Sequence, residues 1–167
     1  VYLKARNKDV AEIVNEDEYK NILTPYFLEL AQYSLFNSDI GEITRDFARY
    51  VSTKAYPYHL WTNSILYACL KETLLLEAKG EDRNTHCVEF EYDNLGDFLK
   101  VYAFLHADRE GKSIVDWLID KKHFIEQNHR NKTRFVHFVG ALLSIDIPEV
   151  KALADIVLAG NEPSSCV

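Results

Sequence analysis

The chain has 167 residues, enough for one domain with a buried core. Apolar residues make up 47% and charged residues 27%, which excludes a disordered polymer, and ten Tyr, nine Phe and two Trp call for a large aromatic interior. The net charge of −7 excludes a surface that sweeps up nucleic acid broadly, and no apolar run approaches the roughly 20 residues that span a bilayer, so no membrane contact is expected.

In chain order, VYLKARNKDV is too polar for a secretory signal, and Glu12, Glu16, Asp17 and Glu18 form an acidic stretch. Thr24-Pro25 predicts a helix start, with Thr as N-cap and Pro at the first helical position. The helix YFLELAQYSLF follows and breaks at Asn37-Ser38-Asp39 and Gly41. EITRDFARYV carries Ile43, Phe47, Tyr50 and Val51 at helical spacing. Pro57 opens YHLWTNSILYACLKETLLLEA, and Gly80 reads as its C-terminal cap. At about 100° per residue, Leu60, Ile65, Leu66, Ala68, Cys69, Leu70, Leu74, Leu75 and Leu76 cover nearly the whole circumference. A helix that is apolar all round is surrounded by others, so 58–79 is expected at the centre of the fold.

After the polar loop EDRNTH, the segment CVEFEY alternates strictly, with Val88, Phe90 and Tyr92 on one side and Glu89 and Glu91 on the other. This predicts a short strand at 87–92 with no partner visible in the sequence, which leaves a dimer edge or an extended loop. Helical patterns resume at NLGDFLKVYAFLHA, SIVDWLIDKKHF, HRNKTRFVHFVGALL and PEVKALADIVLAG, with Trp61 and Trp117 as expected core anchors. The expected fold is therefore all-α: a single-domain bundle of about six or seven helices around 58–79. The domain covers 1–160, followed by a flexible tail at 161–167.

Charge is uneven along the chain. Lys121, Lys122, Arg130, Lys132 and Arg134 are opposed within 121–134 only by Glu126. With Phe135 as origin of a helical wheel, Val139, Leu142, Leu143 and Phe138 fall within about 80°, whereas Arg130, Arg134 and His137 lie near the opposite side. A cationic ridge opposite an apolar stripe suits docking of an acidic protein partner or a phosphate group, since Arg supplies two-pronged contacts and Lys a point charge. The leading expectation is a non-enzymatic interaction domain that binds through Lys121, Lys122, Arg130, Lys132 and Arg134.

Arg130, Asn131 and, after six intervening residues from the Arg, His137 form a pattern that resembles the motif of HEPN domains, helical bundles many of which are ribonucleases. The resemblance covers eight residues. It implies a metal-independent ribonuclease acting on RNA, with His137 in acid–base chemistry at a ribose 2′-hydroxyl and Arg130 holding the phosphate. It also implies a homodimer, because such domains pair so that two motifs share a cleft.

Other chemistry finds little support. Histidines at 59, 86, 106, 123, 129 and 137 form no H-x-x-x-H or H-E-x-x-H pair, so no metal is expected. Neither glycine-rich phosphate motif occurs, and no cofactor is expected. Cys69, Cys87 and Cys166 are odd in number and widely spaced, which fits a reducing, cytoplasmic setting better than a disulfide framework.

Overall fold

The computed structural model describes residues 16–37, 40–80, 84–125, 129–148 and 150–151. The architecture among them is mainly helical, but it is not all-α: a three-stranded antiparallel sheet sits beside the helices. The first helix, α1, spans Glu16–Phe36 with Pro25 inside it, so the helix start predicted at Thr24-Pro25 is corrected. Proline normally costs a helix interior about 3 kcal/mol. The helix holds because Leu23, Tyr26, Phe27, Leu30, Ala31 and Leu35, at helical spacing, are all buried.

Strand β1 (Ile43–Thr44) runs into helix α2 (Arg45–Ala55), and Thr44 Oγ1 caps that helix by accepting the Phe47 N–H at 3.3 Å. The central helix expected at 58–79 does not form. Its place is taken by a 3-10 turn at Trp61–Asn63, a short helix α3 (Ile65–Lys71) and strand β2 (Leu75–Lys79). Pro57 forces the residue before it away from helical geometry, and Tyr56 is extended. The break after α3 is made by Thr73, which takes a positive φ of 54°. The Leu74 N–H then donates to Cys69 C=O at 2.9 Å and the Thr73 N–H to Leu70 C=O at 3.2 Å, the paired bonds of a Schellman ending.

Strand β3 (His86–Phe90) is the central strand, in the order β1-β3-β2. Val88 faces Ile43 on one side and Glu77 on the other, so the strand predicted at 87–92 has two partners and is not an edge. Gly80 caps no helix. Its N–H donates to Thr85 C=O at 2.9 Å and closes the β2–β3 hairpin. Helices α4 (Asp93–His106), α5 (Ile114–Ile125) and α6 (His129–Leu143) follow where their periodicity predicts them. The pattern PEVKALADIVLAG, beyond Lys151, and the tail 161–167 lie outside the described residues.

Two apolar clusters form the interior. One joins α1, α2, α3 and the sheet through Tyr26, Phe27, Val51, Leu66, Val88 and Phe90; the other joins α1, α4, α5 and α6 through Leu35, Phe104, Trp117 and Phe138. The Phe104 ring lies 4.7 Å from Trp117 and 5.6 Å, edge-on, from Phe138. Helix α1 serves both clusters, so it takes the central role expected of 58–79. Trp117 is buried as predicted, whereas Trp61 is half-buried at the surface. No helix among the described residues is long and apolar enough to cross a membrane.

Candidate functional site

The expected cationic residues fall on neighbouring helices. Lys121 and Lys122 sit near the end of α5, half-buried, with Lys121 Nζ 5.6 Å from the centre of the Trp117 ring. Arg130, Lys132 and Arg134 occupy the first turns of α6, and Arg130 and Lys132 are exposed. The ridge is not wholly open to solvent. Arg130 and Arg134, one helical turn apart, both reach to β3 and donate to the same atom, Glu89 Oε1, with Arg134 Nη2 at 2.5 Å.

Arg134 is held by its surroundings as well as by its partner. Gly41 has a φ of 113°, open to glycine and strained for other residues, and the Gly41 N–H donates to the buried Ser34 Oγ at 2.9 Å. A Cβ placed on Gly41 would lie 2.6 Å from Arg134 Nη1 and 2.8 Å from Nε. The absent side chain is therefore the space in which the guanidinium lies. Arg134 Nη1 is buried and has no hydrogen-bond partner.

Helix α4 supplies the opposite wall. Gly96 lets it approach β3 closely, because a Cβ there would meet the Phe90 ring at 3.1 Å. That approach carries Asp97 and Lys100 inward, 8% and 7% exposed, with Lys100 Nζ 3.7 Å from Asp97 Oδ1. Burial raises the Asp97 carboxyl above its ordinary range, against the opposing pull of Lys100 and His137. Burial likewise lowers Lys100, helped by the positive charge of Arg134 and opposed by Asp97.

Between these walls is a recess of about 40 Å³ bounded by Glu89, Asp97, Lys100, Arg134 and His137. Adjoining it is a groove of about 450 Å³ between α4 and α6, where Phe98, Val101 and Ala141 supply apolar surface. Asp97 and His137 line both. The stripes are legible in the spacing: 94, 97, 98 and 101 on α4 face 134, 137 and 141 on α6 and 144 just past its end. The structure thus brings His137 together with Arg134 in one concave site, while Arg130 stands at its edge on Glu89.

Comparison with protein-family models, curated proteins and solved structures finds no match. The chemistry must therefore be read from the residues. Among the described residues no group of three or more His, Cys, Asp or Glu could hold a metal ion. The recess has no hydroxyl or thiol in its lining. What it presents is hydrogen-bond donors: a held guanidinium with an unused nitrogen, a buried ammonium and an exposed imidazole.

Glu89, Asp97 and Lys100 are site residues that the sequence reading did not single out. Asp97 and Lys100 had a readable signal, since on a helical wheel they share the stripe of Val101 and Phe104, where charge is out of place. Glu89 gave only half of one. Its strand alternation puts it opposite Val88, but nothing local shows two arginines arriving from more than forty residues away.

Proposed function

We propose that this chain is a non-enzymatic interaction domain that docks an acidic protein partner by receiving one of its anionic groups, a carboxylate or a phosphate, at Arg134. The observation that carries the reading is the buried Arg134 Nη1 without an acceptor at the wall of a recess that also holds Lys100. A buried donor left unpaired costs about 1–3 kcal/mol, and an anion oxygen entering the recess removes that cost while meeting two cations. Glu89 is already met by two guanidiniums and Asp97 lies 3.7 Å from Lys100, so of the three acids in the lining Asp93 is the one that most directly opposes an anion. Lys121 and Lys122 on α5 and Lys132 on α6 add positive charge outside the recess, an attraction that salt screens.

The test is a titration of isotope-labelled protein with N-acetylglutamate amide and with N-acetylphosphoserine amide, followed by NMR. Saturable shifts should centre on Gly41, Lys100, Arg134 and His137, vanish in Arg134→Gln and persist in Lys132→Gln. Shifts spread evenly over all surface lysines would remove the proposal. A metal-independent ribonuclease built on Arg130 and His137 is the second reading, and the position of His137 in a cleft favours it. It requires Arg130 to leave Glu89. Single-stranded RNA cut by the wild type and spared by His137→Ala would replace docking with catalysis.

A further inference from the structure

Apart from the recess, a second groove, of about 430 Å³, runs along β2. Its lining includes Leu75, Leu76 and Glu77. Consecutive strand residues point to opposite faces, so a groove that touches all three follows the edge of the strand and not one of its faces. That edge is the outer one, since β3 lies on the other side of β2 and no strand among the described residues pairs beyond it.

The hydrogen bonds fix which amides face outward. The Glu91 N–H donates to Leu74 C=O and the Gly80 N–H to Thr85 C=O, so the even-numbered residues of β2 make the bonds to β3. Leu75, Glu77 and Lys79 therefore turn their N–H and C=O groups away from β3; Leu75 is fully buried, so the open part of the edge is Glu77, in the groove, and Lys79 beyond it. The opposite wall is aromatic and cationic. Trp61 meets Tyr67 edge-on at 5.9 Å and lies under the guanidiniums of Arg45 and Arg49, at 5.5 and 5.9 Å. Arg45 and Lys71 line the groove against one acid, Glu77, which Arg45 already meets at 3.1 Å. Leu76, at 42% exposed, leaves an apolar side chain at the strand edge.

From this geometry we infer that β2 is a docking edge for an extended acidic peptide of a partner protein, which adds as a fourth strand. The main-chain groups of Glu77 and Lys79 supply the hydrogen bonds of a short ladder. Apolar side chains of the peptide pack on Trp61, Tyr67 and Leu70, and its carboxylates meet the arginines and Lys71. The cationic wall in a chain of net charge −7 selects for the acidic sequence. The site is separate from the recess at Arg134.

The probe is a fluorescein-labelled, N-acetylated octapeptide of alternating valine and glutamate, titrated into the full chain by anisotropy. Binding should saturate, protect the amides of Glu77 and Lys79 from hydrogen exchange, and weaken at least about tenfold when lysine replaces glutamate in the peptide. Glu77→Pro removes one outward donor at an edge position that tolerates proline and should weaken binding about tenfold, whereas Glu77→Ala should not weaken it. If Glu77→Pro fails to fold by circular dichroism, Lys79→Pro carries the same test. Equal binding to the proline variant, protection at α4 and α6 instead of β2, or no saturation overturns the inference. So does sedimentation showing a wild-type dimer that Glu77→Pro dissociates, because a second copy would then hold the edge.

Discussion

Gly41→Ala puts the construction of the Arg134 site to its most direct test. The φ of 113° at Gly41 lies where an L-residue is strained, which costs about 1–3 kcal/mol. The new methyl would also stand 2.6 Å from Arg134 Nη1 and 2.8 Å from Nε, so the guanidinium must leave its bed. Leaving weakens a charge-assisted hydrogen bond to Glu89, worth about 1.5–3 kcal/mol. The sum, about 2.5–6 kcal/mol, is measured by urea denaturation with an unchanged slope. In an Arg134→Ala background the collision is gone and only the backbone strain remains, so Gly41→Ala should cost about 1–3 kcal/mol there. If both backgrounds lose the same stability within about 0.5 kcal/mol, Arg134 does not occupy the glycine's space, and the account of how the site is built is wrong.

Asp97 offers a pH signature. Its carboxyl is raised in the folded state, so as pH falls through that raised value the native chain takes up a proton before the unfolded chain does, and stability rises. The stability of the wild type relative to Asp97→Asn should therefore increase on acidification above the ordinary carboxylate value, read from urea midpoints at successive pH; a flat or falling difference would contradict the burial of the pair. Phe138→Ala removes a fully buried ring from the Phe104–Trp117 cluster and should cost about 3–5 kcal/mol by chemical denaturation. Thr44→Ala deletes the cap of α2 and should cost about 1 kcal/mol, with Thr44→Ser restoring most of it.

The sequence announces α4, α5 and α6 because each carries a one-sided apolar stripe at helical spacing. It conceals the turn at Thr73. A left-handed residue at a helix end is usually Gly or Asn, and here a β-branched Thr fills the position, so LKETLLLEA reads as one unbroken apolar helix. Once that turn is missed, β2 is lost, and CVEFEY is left as a strand without neighbours. The same distance effect governs the site. Arg134 and His137 share a visible ridge, and Asp97 with Lys100 stand out on the stripe of α4. Their convergence with Gly41 and Glu89 depends on tertiary packing that no local spacing encodes.

Helix α1 gives its Leu23–Leu30 stretch to the sheet-side cluster and Ala31 and Leu35 to the cluster built by α4, α5 and α6. Among the described residues, a cut between β3 and α4 therefore separates α1 from one of the two clusters it serves. A fragment ending at Phe90 keeps α1 but strips the lower part of its stripe bare, and the complementary fragment lacks the wall on which Phe104 and Trp117 rest. Shuffling or truncation at the β3–α4 junction leaves each piece without part of the interior it packs on.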